Sequence, residues 1–146
     1  MKARLLLTSS LFLILLAVAA CGATTTTPSS GAPSPTKQAT EVQITLTDFA
    51  IKASQTEFTV GVPYRFVVTN SGQTQHELMA VPSSTGQASE EEIDAARLFE
   101  IEDVNPGQLK TGVYTFTQAA AAGTLEFACH KAGHYEAGMR MSITVK

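Results

Sequence analysis

Leu125-Glu126-Phe127-Ala128-Cys129-His130-Lys131-Ala132-Gly133-His134-Tyr135-Glu136-Ala137-Gly138-Met139-Arg140-Met141-Ser142-Ile143-Thr144-Val145 is the stretch that decides the fold. Leu125, Phe127 and Cys129 share one face of a period-two pattern. Met141, Ile143 and Val145 share a face of a second one. Such alternation marks half-buried strands. The loop between them carries three soft side chains in the order C-x4-H-x4-M: Cys129, His134 and Met139. Cys129 ends an inward-facing triplet and the next strand begins near Met139, so the loop can wrap a single ion.

The alternation continues upstream. Val42, Ile44 and Leu46 alternate with Gln43, Thr45 and Thr47, and Tyr64, Phe66 and Val68 repeat the pattern. Tyr114 and Phe116 oppose Val113, Thr115 and Thr117. Turn signals stand between these runs at Asn70-Ser71-Gly72, Asn105-Pro106-Gly107 and Ala122-Gly123. Many short strands with turns between them predict an all-β sandwich or barrel. One helix interrupts them. Ser89 followed by Glu92 forms a capping box, and Glu90, Glu91 and Glu92 suit the positive end of the helix dipole. The helix is predicted from Glu90 to about Phe99, within a long insertion between strands ending near Val81 and starting near Thr111.

The chain has 146 residues and a net charge of −3, which allows one ordinary domain and gives no basic surface for nucleic acid. Its front end reads as an address. Lys2 and Arg4 precede an uninterrupted apolar run from Leu11 to Ala20. That run is short for a membrane span, which needs about 20 residues, and has the pattern of a secretory signal. Val18-Ala19-Ala20-Cys21 resembles the lipobox of bacterial lipoproteins, which implies cleavage before Cys21 and lipid on its sulfur. The blander reading is a plain signal with a chance cysteine. Residues 22–40, rich in Thr, Ser, Pro, Gly and Ala, read as a flexible tether. The expected organisation is therefore a signal at 1–20, lipidated Cys21 and tether at 21–40, and one folded domain at 41–146. The location expected is extracytoplasmic, anchored to a bacterial membrane.

His76 lies 53 residues before Cys129 and completes a set of two imidazoles, one thiolate and one thioether. This soft, mixed set suits copper in both its Cu(I) and Cu(II) states, whereas structural zinc prefers cysteine and histidine alone. Taken singly, His76 reads as a polar residue at a strand end, Cys129 as small core and Met139 as packing. Met141 is a rival for the thioether role, but its parity with Ile143 and Val145 assigns it to the core. His130 has the opposite parity to Cys129 and is read as a surface histidine.

Phe127 to Met139 resembles the Cys-x-x-Pro-Gly-His-x-x-x-Gly-Met loop of the cupredoxins, the small blue copper proteins. Ala121 to Phe127 is similar to their preceding turn and strand. Asn70-Ser71-Gly72 with His76-Glu77-Leu78 is similar to the region of their first histidine. The resemblance implies a Greek-key β-sandwich, one copper per chain, His76, Cys129 and His134 in the metal plane, and Met139 as a weak axial ligand. It also implies an electron route through His134, with Gly133, Tyr135, Ala137 and Gly138 as candidates for an apolar patch. Three positions depart from the pattern. Ala132 stands where many relatives carry proline. Glu77 stands where asparagine usually ties the two ligand loops. Met141 replaces a small residue.

Four protein ligands leave no open position for substrate, so an enzyme is not expected. The reading is a monomeric, membrane-tethered one-electron carrier on the outer face of the cell membrane that exchanges electrons with redox proteins. The alternative is copper delivery or sequestration. An adhesive sandwich without metal is a third reading. Between residues 90 and 103 seven acids face the single base Arg97. This is read as a solvated helix face, with a docking patch for a basic partner as the second possibility. Exchanging Cys21 for serine is expected to move the exported protein from the membrane fraction to the soluble one; retention on the membrane would contradict the anchor.

Overall fold

The computed structural model describes residues 38–146. The signal, Cys21 and nearly all of the tether lie outside the described residues. Among the described residues, nine strands form two sheets. One sheet has the order β2-β1-β4-β7, built from β1 (Thr40–Thr47), β2 (Ala50–Ala53), β4 (Pro63–Asn70) and β7 (Leu109–Thr115). The other has the order β3-β9-β8-β5-β6. Its strands are β3 (Glu57–Phe58), β9 (Arg140–Val145), β8 (Ala120–Ala128), β5 (His76–Pro82) and β6 (Phe99–Val104). Pairings are antiparallel except β1 with β4 and β3 with β9. Of the sandwich or barrel that the alternation and the turns predict, this is the all-β sandwich, with the Greek-key arrangement that the cupredoxin resemblance implies.

The alternating residues do what their period requires. Val42, Ile44, Leu46, Tyr64, Phe66, Val68, Leu125, Phe127, Ile143 and Val145 are buried in one core between the sheets. Val113, of opposite parity on an edge strand, is exposed. Phe58 is the hub of an aromatic cluster, with ring centroids 4.9 Å from Tyr64, 5.1 Å from Phe116 and 5.7 Å from Phe127. Edge-to-face and tilted pairs of this kind add to the stabilisation from burial alone.

The insertion differs from its prediction. The capping box is present: Ser89 N–H donates to Glu92 Oε2 at 2.8 Å, and Ser89 Oγ accepts from Glu92 N–H. The helix α1, however, stops at Ala96 rather than near Phe99. Leu98 N–H turns back to Ala80 O, and Phe99 opens β6. Phe99 gains more there than in a helix, because its ring stacks on Phe66 at 4.8 Å and on Tyr114 at 5.2 Å. A 3-10 turn, Ser83–Gln87, precedes α1.

Helix α1 also explains why β5 is buried on both faces. Met79, Val81, Ile93, Ala128 and Tyr135 form a second, smaller cluster on the outer side of that sheet. Replacing Phe58 by alanine removes the hub and is expected to cost about 3–5 kcal/mol. Denaturant unfolding measures it; a change below 1 kcal/mol would contradict this packing.

Candidate metal centre

Three side chains from two parts of the chain converge at one end of the sandwich. His76 opens β5, and Cys129 follows β8, its neighbour in the sheet. The turn after Cys129 carries His134, and it is held by its own backbone. His134 N–H donates to Lys131 O, Met139 N–H to His134 O, and Cys129 N–H to Met139 O, at 2.8, 3.0 and 3.1 Å. Gly133 and Gly138 adopt φ of 81° and 100°, a region costly for other residues.

His134 Nδ1 lies 3.2 Å from His76 Nδ1 and 3.4 Å from Cys129 Sγ. One donor atom of each residue falls within 4.8 Å of the other two. A small ion roughly 2.0–2.3 Å from three surrounding donors needs them about 3.5–4 Å apart. The set fits such an ion after a slight expansion, and its two nitrogens and one sulfur are positioned as a type 1 copper site. His76 and Cys129 are fully buried; His134 is half-buried. Met139 is fully buried in the same core cluster as Cys129, and Met141 packs on that core half-buried.

Burial sets the protonation of the two inner groups. It pushes the Cys129 thiol up, while the backbone N–H groups of Glu77 and Lys131 oppose it by favouring the thiolate. It pushes His76 down, against the attraction of Asp48. Both effects favour the neutral thiol and the neutral His76 ring, and an ion that binds there must displace the thiol proton.

The surrounding residues were only partly foreseen. Glu77 does tie the two ligand segments together, although it is not asparagine: its Oε1 accepts the His130 N–H at 2.8 Å. Lys131 lies 3.6 Å from the same carboxylate and 3.0 Å from Asp103. Asn70, fully buried, staples the approach to His76. Its Nδ2 donates to Thr74 O at 2.7 Å and Val104 O at 2.8 Å, and its Oδ1 accepts from Gly72 N–H. The turn signal Asn70-Ser71-Gly72 located this residue but not its role. Asp48 and Phe49, which carried no motif, touch the two histidines; they are described below.

Two expectations are corrected. His130 is not a surface histidine. It is half-buried, its ring stacks on Tyr135 at 4.6 Å, and its Nε2 is closed off without a partner. Strand parity failed there because β8 has ended. Tyr135 is not part of an exposed patch. It is buried, donates its O–H to buried Glu126 at 2.7 Å and lies under the Arg140 guanidinium. Gly133, Ala137 and Gly138 are exposed as expected, and Phe49, 47% exposed, joins them with its ring 5.6 Å from that of His134.

No protein-family model matches the chain. It is 31% identical over 93 residues to the copper-resistant cuproprotein CopI of Rubrivivax gelatinosus, covering 59% of this chain and 53% of that one. The chain thus matches about half the length of that relative. Auracyanin from the photosynthetic bacterium Roseiflexus castenholzii superposes with a TM-score of 0.57 at 23% identity, covering 75% of this chain and 98% of that one. Auracyanin A, a "blue" copper protein of Chloroflexus aurantiacus, gives 0.51 at 20%, covering 73% and 99%. The fold is that of the cupredoxins.

Beside the centre, a polar cavity of about 400 Å³ is lined by Glu77, Glu100, Glu102, His130 and Lys131 among others. Burial raises the Glu100 carboxyl from 4.5 to about 7, more than the paired Arg97 lowers it. Between those values the folded state holds a proton that the unfolded chain has released, so stability falls as pH rises through this window. Exchanging Glu100 for glutamine removes this slope. The stability of that variant relative to the parent should be higher at pH 8 than at pH 5; a pH-independent difference would contradict the assignment.

Proposed function

We propose that the chain binds one copper ion through His76, Cys129, His134 and Met139 and serves as a one-electron carrier. The observation that carries this reading is the convergence of two imidazoles and one thiol, with His134 Nδ1 3.2 Å from His76 Nδ1 and 3.4 Å from Cys129 Sγ, inside a β-sandwich that leaves two of the three fully buried. Copper, when bound, supplies a one-electron couple.

The remaining requirements fall on the chain itself. His76 and Cys129 exclude water. Backbone N–H groups of Glu77 and Lys131 face the sulfur and favour its charged form. The hydrogen-bonded turn from Cys129 to Met139 resists rearrangement, so little needs to move between oxidation states. Met139 is the proposed axial ligand, on the sequence pattern and its burial beside Cys129. His134 reaches the surface among Phe49, Gly133, Ala137 and Gly138, which supports it as the route for electrons to a docked redox protein. The acidic residues at 90–103 offer a second contact for a basic partner. The four-ligand set leaves no place for substrate, which argues against an enzyme. The sequence of residues 1–40 supports a tether holding the domain near the outer face of a bacterial membrane.

Copper handling is the second reading, favoured by the likeness to a relative described as a copper-resistant cuproprotein. The carrier reading requires reversible redox cycling with the metal retained. Copper-loaded protein is expected to show an intense thiolate-to-copper absorption that bleaches with mild reductant and returns on oxidation. The band should vanish in Cys129→Ser. A folded protein without the band would refute the type 1 site, and transfer of copper to an acceptor without cycling would favour handling.

A further inference from the structure

Only two residues, Asp48 and Phe49, join β1 to β2, and each touches a different histidine of the centre. Asp48 Oδ1 lies 3.3 Å from His76 Nε2, the nitrogen that faces away from the cluster. The carboxylate is itself held, by Gln73 N–H at 3.0 and 3.1 Å and by Thr74 N–H and Oγ1 at 3.3 and 3.1 Å. The Phe49 ring meets the His134 ring edge-on at 5.6 Å and 90°.

Two features show how constrained this arrangement is. Phe49 has φ of 66°, a left-handed conformation that hairpin turns normally give to glycine or asparagine. A bulky residue there is a true outlier, of the kind that persists where the side chain is needed. Gly72 packs so closely that an added Cβ would lie 2.6 Å from Asp48 Oδ1 and 2.9 Å from His76 Nε2. The sequence thus spends a glycine to let the carboxylate reach the imidazole, and forgoes one to place the phenyl ring.

We infer that the Asp48-Phe49 turn is a positioning device for both histidines, with Asp48 also biasing the centre toward the more highly charged copper ion. The inference rests on the copper reading. A carboxylate only accepts, so it fixes the proton on His76 Nε2 and leaves the Nδ1 lone pair toward Cys129 and His134. Its negative charge, relayed through the ring, makes Nδ1 a stronger donor and favours Cu(II) over Cu(I). Phe49 restrains the ring plane of His134, the least buried of the three ligands.

The test compares the full-length protein with Asp48→Asn and Phe49→Gly for thermal midpoint without metal, competition affinities for Cu(I) and Cu(II), and reduction potential. Asparagine keeps an acceptor and removes the charge. Asp48→Asn is expected to fold, to bind Cu(II) roughly tenfold or more weakly, and to lose less for Cu(I). A tenfold selective loss is a rise of about 59 mV. Asp48→Ser makes the same comparison should the asparagine variant not fold. Phe49→Gly suits the backbone and should fold at least as stably as the parent, yet bind copper more weakly. A folded, charge-free position 48 with the parental potential overturns the role of Asp48. Parental copper affinity in Phe49→Gly overturns that of Phe49. If the parent itself shows no thiolate-to-copper band, the copper reading fails; if the parent shows it and the variants match the parent, only the positioning device fails.

Discussion

Cys129 N–H donates to the Met139 carbonyl at 3.1 Å, beside the last pair of β8 and β9 before the strands part. This bond fixes both ends of the ligand turn to the sheet. Between its two partners the chain can only fold back on itself, and His134 is carried round to face Cys129. On the other side β8 pairs with β5, whose first residue is His76. The β5-β8-β9 ladder therefore places all three donors, and the centre inherits the rigidity of that sheet.

That rigidity depends on polar groups placed where a purely apolar core would be simpler. Glu77, Glu126, Asn70 and His76 are all buried, which is costly unless each finds a partner. Each does. Glu77 receives the His130 N–H, Glu126 the Tyr135 O–H, and Asn70 makes three bonds that hold the loop leading to His76. The partners of Glu77 and Asn70 lie on segments next to the ligands, where these side-chain bonds add to the backbone bonds already present. The cavity beside Glu100 shows the opposite case, a carboxyl whose burial its arginine does not fully offset.

The fold was legible because its signals are local and strong. Period-two runs of large apolar residues have few alternatives, and the cysteine, histidine and methionine spacing lies within one loop. His76 could be proposed because it is the one histidine outside the loop and its surroundings resemble the region of the family's first histidine. What escaped was non-local. Phe99 reads as the end of a helix until Phe66 and Tyr114 are set on either side of it. Tyr135 and His130 read as exposed until Glu126 and the outer face of the sheet are in place. Asp48 and Phe49 form no motif, because their partners lie 28 and 85 residues further along. A departure from a family pattern, Glu77, was visible in the sequence, but only geometry shows that a carboxylate can tie the loops as an amide would.

The proposed centre is one thiol and two imidazoles that the sandwich holds in place for a copper ion and that move little as its charge changes. X-ray absorption at the copper edge, recorded on the same loaded sample in its oxidised and reduced states, tests this most directly. The account predicts one short copper–sulfur distance and two imidazole nitrogens in both states, with only small changes between them. A first shell of nitrogen and oxygen alone, or a ligand lost on reduction, would contradict it.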